Sequence, residues 1–483
     1  MSRFQVLSEA DLARIHAAAL RLLDRVGVLV DAPVVDLLAR AGARVEGNRV
    51  RFPPRLVADA LASAPARVQL YDGAGRLVVS LGGEKTCFNP GSCATRFLGP
   101  DGAVRESRAA DLETLLALNN TLEHLPLQST ALVCHDVPRV VGDSYRLWVA
   151  LGVSPKPVVT GAFSAEGLAD MHELLVAAAG SAADLAARPR AVFDVCPSPP
   201  LKWAQPAAMN IVDAARAGLP LNFISMPMPG AASPVTLAGS LLQHTAENLS
   251  GLVLAQVARP GSPVIWGGAP VVFDMRHGTS ALAAIEATMM GIAAAQMGAW
   301  HCLPTHTYAA LSDAKVVDAQ AGAETAPGAV LTVLAGVSLV SGPGLLEFAL
   351  TQSLEKLVLD NAICGQALRL ARGIRLDDEA LAEDLLARLG PGGDFLADAH
   401  TRRHFRSEFD LPGPTLDRRD RRAWTEAGAL GSWERAGEEV RARLAGVVQR
   451  RQGHHLEALD QAMAEVLRRR SLEPPAHFRA LSA

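Results

Sequence analysis

Residues 219–268 read LPLNFISMPMPGAASPVTLAGSLLQHTAENLSGLVLAQVARPGSPVIWGG. Two short apolar runs, Leu219 to Pro227 and Pro263 to Gly268, flank a longer helical stretch, Ser233 to Ala258. Each run is apolar at nearly every position, the pattern of a strand buried on both faces, as a parallel sheet demands. Ser233 and Pro234 open the middle stretch as N-cap and first helical position. The reading is strand, helix, parallel strand.

Outward from this unit the pattern repeats. Leu125 to Cys134, Pro157 to Gly161 and Ala191 to Pro197 precede it as strands, and Trp300 to Tyr308 and Val337 to Gly342 follow. Helical stretches include Ser164 to Gly180, Gln205 to Ala217 and Thr279 to Gly298. Each unit takes roughly 35 to 40 residues, which argues for successive βαβ units. Seven strands are legible. The eighth is either a segment near Gly373 to Leu376 or one donated by the N-terminal region, and both a closed barrel and an open doubly wound sheet fit. No GxGxxG follows the early strands, which counts against a dinucleotide-binding sheet.

The flanks differ from this middle. Ser8 to Val26 reads as an amphipathic helix with Ser8 as N-cap and Asp11 in the first turn, and Ala32 to Ala41 as a short helix. Arg49 to Phe52, Val68 to Tyr71, Leu77 to Leu81 and Thr86 to Asn89 are short segments punctuated by Gly, Asp and Pro, which suggests hairpins. Beyond Gly373 the chain is charged and helical, with an arginine-rich stretch at 401–422, read as a solvated face or a docking surface, and two helices within Ser432 to Arg470. The expected division is an α+β cap over 1–106, a (β/α) barrel over 107–376 and a helical extension over 377–483.

Composition excludes several function classes. The 483 residues carry a formal net charge of -4, which gives no reason to expect nucleic acid as a partner. The most apolar stretch, Gly328 to Val340, is 13 residues long. A membrane span needs roughly 20. The first residues lack an apolar core of signal-peptide length, so the cytoplasm is the expected compartment. The six cysteines show no CxxC spacing, and reduced thiols are expected.

Sites in parallel α/β proteins form at the C-terminal ends of strands. That rule selects Cys134, His135, Asp136, Gly161, Phe163, Cys196, Pro197, Phe223, Met226, Trp266, His306, Thr307, Tyr308, Ser341 and Glu347. Aromatic residues make up only 5% of the chain, yet Phe163, Phe223, Trp266, Phe273 and Tyr308 fall at or near these ends. Aromatic faces hold quaternary ammonium groups, which cannot donate a hydrogen bond. The Phe rings equally suit packing against the next helix; Trp266 and Tyr308, which need a partner for N–H or O–H, point to a pocket. The loop Leu303 to Gln320 concentrates polar groups, and Ser312 can cap a helix with Asp313 in its first turn. Zinc held by scattered ligands among Cys134, His135, Cys196, His301, Cys302 and Glu347 is the competing site. No GxSxG elbow occurs.

At Leu311 to Ala321 (LSDAKVVDAQA) the chain resembles the trimethylamine:corrinoid methyltransferase family, including its glycine-betaine-type members. Ser233 to Gly251, Arg259 to Gly268, Asp274 to Gly278 (DMRHG), Gly344 to Glu347 (GLLE) and Glu355 to Asp360 (EKLVLD) are similar in the same order. The resemblance implies an α/β fold, a (β/α)8 TIM barrel with N-terminal cap and C-terminal helical extension, and favours closure. It also implies a corrinoid protein as methyl acceptor. Members acting on trimethylamine carry pyrrolysine just before the SDAK-like run. Here that loop reads Thr307-Tyr308-Ala309-Ala310-Leu311, all standard residues. Relatives without pyrrolysine are similar in using quaternary amines.

The expected donor is therefore a betaine-like quaternary amine, whose nitrogen leaves as a neutral tertiary amine. No acid or base catalyst and no directly bound metal is required. Trp266, Tyr308 and Phe223 are expected to contact the ammonium, His306 or Arg276 a substrate carboxylate, and Glu347 to offset the cation. Asp313 and Lys315 are expected to shape the entrance for the corrinoid. A homo-oligomer is expected. The alternatives are a zinc-dependent methyltransferase acting on a thiol, sulfide or alcohol, and a non-catalytic small-molecule-binding barrel.

Overall fold

The structure is a computed structural model that describes residues 3–31, 33–83, 85–411, 413–447 and 451–482. Its organising feature is a set of parallel strands: β1 (Cys87–Asn89), β2 (Gln128–Ser129), β3 (Val158–Thr160), β4 (Ala191–Val195), β5 (Leu221–Ser225), β6 (Val264–Gly268), β7 (His306–Tyr308) and β8 (Leu339–Ser341). Strands β2 to β6 form one sheet in chain order, and β7, β8 and β1 form a second. A parallel bridge from Trp266 to Thr305 links β6 to the residue before β7, and another from Ala94 to Leu132 links the residues beyond β1 and β2.

The strand left open by the sequence is thus β1, from the N-terminal segment; residues 373–376 form no strand. A helix follows each strand: α1 (Ala109–Asn120), α2 (Gly142–Val153), α3 (Ala165–Ala179), α4 (Gln205–Ala217), α5 (Leu237–Ala258), α6 (Ile285–Trp300), α7 (Ala319–Ala335) and α8 (Leu354–Ala371). Glycines in the left-handed region stop α3, α4 and α7 at Gly180, Gly218 and Gly336, where a Cβ is disfavoured.

Strand alternation sorts the side chains. Leu127, Val159, Val192, Ile265 and Leu339 form a buried cluster with Val68, Leu70, Val79 and Leu81. The latter four come from the hairpin Val68–Tyr71/Leu77–Leu81, which closes the N-terminal ends of the strands. The opposite ends, where the loops to the helices begin, are left free for a site.

The N-terminal helix Glu9–Arg25 begins with a capping box in which the Ser8 side chain accepts from Asp11 N and the Asp11 side chain accepts from Ser8 N. It packs with Pro54–Ser63 over α5, so α5 is covered and most of its residues, polar ones such as His244, Glu247 and Asn248 included, are buried. The expected start of the next helix at Ala32 lies outside the described residues; its helix spans Val35–Arg40. C-terminal helices Ser432–Ala445 and Leu456–Arg469 pack against α1 and α8, and against α2 and α3, respectively.

Three expected helix starts are corrected: helix α6 begins at Ile285, not at Thr279, because Thr279–Ala281 is a strand paired with Val272–Asp274. Helix α5 begins at Leu237, not at Ser233-Pro234: Ser233 stays in the loop, its hydroxyl bonded at 2.5 Å to that of Ser240 in the first turn of the helix. Helix α7 begins after Asp318, whose carboxylate accepts from Gln320 N and Ala321 N. Ser312 instead donates to Glu324 Oε2 at 2.6 Å, tying the loop to the side of that helix.

Candidate active site

A cavity of ≈ 350 Å³ opens at the C-terminal ends of the strands, a size and position typical of small-molecule sites. Its walls are largely aliphatic, with Ala162, Val195, Ile224, Met226, Ala269 and Leu282, and carry two aromatic rings, Phe163 and Tyr308. The polar groups on the lining are few, and each is held by the fold.

Asp194, on β4, projects into this space. It accepts one hydrogen bond, from Asn222 Nδ2 at 2.8 Å, and forms no ion pair among the described residues. Burial raises its pKa to about 7, only partly opposed by the Asn222 bond. Asn222 is in turn placed by Gly267 on the neighbouring strand, where a Cβ would lie 2.2 Å from Asn222 Oδ1. Glycine is required here by the close approach of another side chain.

Tyr308 closes another wall. Its hydroxyl donates to Ser92 O at 3.1 Å, and Ser92 Oγ lies 3.1 Å away on the same oxygen, where it is the donor. His306 stacks edge-on beneath the Tyr308 ring at 5.4 Å. Ser341 gives its proton to Asn89 Oδ1 at 2.8 Å and so accepts from His306 Nε2 at 2.9 Å. That assigns the Nε2–H tautomer and leaves Nδ1 a bare acceptor without a partner among the described residues. Burial lowers the His306 pKa to about 3, so the ring is neutral.

Arg146, on α2, reaches the cavity from behind β2 and β3. Its guanidinium is buried, donates to Thr130 O, Gly142 O and Asp143 Oδ1, and lies over the Phe163 ring at 5.8 Å. Thr130 and Thr160, whose hydroxyls bond each other at 3.1 Å, line the same part of the wall. Cys93 and Cys196 complete the polar lining.

Residues 1–474 match the family described as Trimethylamine methyltransferase (MTTB). The chain belongs to the MTTB family. A Trimethylamine methyltransferase MttB from Desulfitobacterium hafniense is 29% identical over 90% of this chain and 88% of the relative. A Glycine betaine methyltransferase from another strain of that species is 30% identical over 85% of this chain and 87% of its own. The MttB of Methanosarcina barkeri is 31% identical over 87% and 86%. The crystal structure of the Methanosarcina barkeri monomethylamine methyltransferase MtmB shares the fold, with TM-score 0.50 and 12% identity over 93% of this chain and 96% of that one. This MTTB-family chain is a methyltransferase.

Within this MTTB-family site the structure brings together only part of the expected set. Tyr308 lines the cavity. Trp266 and Phe223 do not, and that expectation is corrected. Trp266 is 1% exposed, faces α6, and packs against His301 at 5.3 Å and against Gly298. Phe223 is buried between Trp203, at 6.0 Å, and Gly251 of α5. Both stand at strand positions whose side chains point outward to the helices, while Asn222, Ile224 and Gly267 take the inward ones.

His306 lies under the cavity, buried and neutral, and is no partner for a carboxylate. Arg276 sits at the tip of the hairpin Val272–Asp274/Thr279–Ala281, exposed and paired with Asp274 at 2.7 Å. Glu347 is outside the lining, bonded by Arg96 at 3.0 Å and Thr351 at 2.7 Å. Asp313 accepts from Ala283 N at 2.9 Å and Leu282 N at 3.3 Å, fastening the loop after β7 to the segment that carries the cavity residue Leu282. Burial raises its pKa to about 6. Lys315 donates to Asp313 O at 2.8 Å and lies 4.1 Å over the Phe348 ring. Sequence reasoning missed Asp194 and Arg146.

Among the described residues, no group of three His, Cys, Asp or Glu side chains is placed to hold a metal ion. Of the cysteines proposed for zinc, Cys196 lines the cavity, whereas Cys302 follows α6 and lies at the opposite, N-terminal end of β7. No helix among the described residues is long and apolar enough to cross a membrane.

Proposed function

We propose that this methyltransferase takes a methyl group from a quaternary amine and delivers it to the cobalt of a corrinoid carried by a partner protein. The observation that carries the reading is Asp194: a half-buried carboxylate with no ion-pair partner among the described residues, at a largely aliphatic cavity beside the Tyr308 ring. A desolvated carboxylate is unfavourable until a cation joins it. A quaternary ammonium fits, since it brings charge and needs no acceptor for an N–H.

The acceptor supplies the nucleophile, and the substrate's own positive charge makes the methyl carbon electrophilic. This chain's residues bind, orient and exclude water. Asp194 and Tyr308 hold the nitrogen, and the aliphatic wall leaves the methyl poorly solvated and directed along the open axis of the cavity. Because attack removes charge from nitrogen, a stronger cage would stabilise the bound cation more than the transition state. Two aromatic rings and one carboxylate, set in alanine, isoleucine and methionine, match that requirement.

The surface around the opening supports an acceptor of mixed apolar character. Phe163, Val235, Met275, Ile285, Val316 and Leu350 are exposed, and all lie in or directly after loops that follow strands. We read the strands as a closed (β/α)8 barrel over residues 85–371, with residues 3–83 as the cap and those beyond 373 as the extension. We assign the protein to the cytoplasm and read it as a homo-oligomer.

The test is methylation of reduced cobalamin, followed spectrally, with matched quaternary and tertiary amines. The quaternary compounds are expected to react and the tertiary ones to be inert. Stoichiometric zinc in purified protein, with transfer from a thiol or alcohol, would replace this reading.

A further inference from the structure

The mechanism above uses the Asp194 end of the cavity and leaves a second charged group unexplained. Arg146 is only 3% exposed, yet it lines the cavity wall. A guanidinium has five N–H groups. Three are accounted for: Nε to Gly142 O at 3.3 Å, one Nη1 proton to Thr130 O at 3.1 Å and one Nη2 proton to Asp143 Oδ1 at 2.8 Å. Among the described residues, one proton on each of Nη1 and Nη2 has no hydrogen-bond acceptor. Two parallel N–H groups at the tip of a guanidinium match the two oxygens of a carboxylate.

The neighbourhood is built for the same ligand. The Thr130 and Thr160 hydroxyls bond each other, which spends one of their two protons and leaves the other to give. The Phe163 ring stands 5.8 Å from the guanidinium carbon. Asp143 holds it further, accepting from Arg146 through Oδ1 and from Phe163 N at 2.7 Å through Oδ2. Arg146 is ion-paired with Asp143 at 2.8 Å and not with Asp194, so its remaining N–H groups and the Asp194 carboxylate can serve different ends of one ligand.

We propose that Arg146 is a specificity-determining residue that binds a carboxylate of the methyl donor, with the Thr130/Thr160 hydroxyls as the third contact. The donor is then a quaternary ammonium carboxylate, cation toward Asp194 and anion toward Arg146. This rests on the quaternary-amine reading above.

The experiment compares three probes of the same ammonium chemistry on the full-length protein: glycine betaine, its methyl ester and tetramethylammonium, each scored by cobalamin methylation. Wild-type protein is expected to favour the carboxylate over the ester on the order of tenfold to a hundredfold in kcat/KM, the range for charge-assisted hydrogen bonds. Arg146→Gln is expected to lose that preference through KM while kcat changes little, and Arg146→Lys to keep part of it. Equal use of all three probes by wild-type protein overturns the Arg146 assignment and leaves the quaternary-amine reading standing. Transfer from none of them overturns both. Should Arg146→Gln fail to fold, the wild-type ratio alone decides.

Discussion

Replacing Asp194 with Asn removes one charge and little volume, so it isolates the electrostatic role assigned to this side chain. A cation about 5 Å from the carboxylate is attracted by roughly 3 kcal/mol at an effective dielectric constant near 20. Ionising a group of pKa about 7 at pH 7 costs about 0.4 kcal/mol of that. The remainder, about 2 to 3 kcal/mol, corresponds to roughly a 30- to 150-fold weaker dissociation constant. Calorimetry with glycine betaine and with its carbon isostere 3,3-dimethylbutanoate, which keeps the carboxylate and lacks the cation, reads the effect directly. Wild-type protein should discriminate between the two, and Asp194→Asn should scarcely do so. Since the attraction fades as charge leaves nitrogen, KM should rise and kcat fall by no more than a few-fold. Affinity in wild-type protein should climb with pH through about 7 and then level, because the ionised carboxylate is the binding form. The same raised pKa means that native stability falls as pH rises from the ordinary carboxylate range towards 7, so the variant should melt higher than wild type at pH 8. Unchanged affinity for the cation at pH 8 in Asp194→Asn would refute the reasoning.

Other substitutions separate the site from its scaffold. Tyr308→Ala, which removes one aromatic face, should raise KM about 3- to 30-fold for a quaternary donor, as steady-state rates will show. Trp266→Ala should cost about 3 to 5 kcal/mol in denaturant unfolding, from the void left against His301 and Gly298, while KM of the folded fraction stays within a few-fold. Gly267→Ala should push Asn222 off Asp194, costing about 1 to 3 kcal/mol and moving the pH midpoint of donor binding upward, since that bond holds the Asp194 pKa down. A midpoint that stays put would break the Gly267–Asn222–Asp194 chain.

The parallel strands were legible because each is a short apolar run followed by a helix, and seven of the eight stood out on that basis. Strand β1 did not, because Cys87–Asn89 sits among hairpins that share its Gly/Pro punctuation, and no helix follows it until Ala109. The site was less legible, for a reason visible in Trp266 and Phe223. Position along a strand says which end a residue occupies, but the two-residue alternation says which face it takes, and both residues fall on the helix face. Applied to Ala191–Val195, the same alternation puts Asp194 inward beside Val192, and a carboxylate at an inward position of an apolar strand is a readable signal. Arg146 carried no such mark. It lies in a helix, and only the tertiary fold brings its guanidinium through to the cavity. Ser312 misled because a serine before an acidic residue satisfies the local rule for a helix start, whereas here its hydroxyl serves Glu324.

A crystal structure with a quaternary ammonium carboxylate bound tests the placement of the cation most directly. The ammonium nitrogen should lie about 4 to 5 Å from an Asp194 carboxylate oxygen, the reach of a close charge pair, with Tyr308 against it and one methyl facing the opening. A ligand seated away from Asp194, or with its methyl groups turned into the wall, would contradict the account.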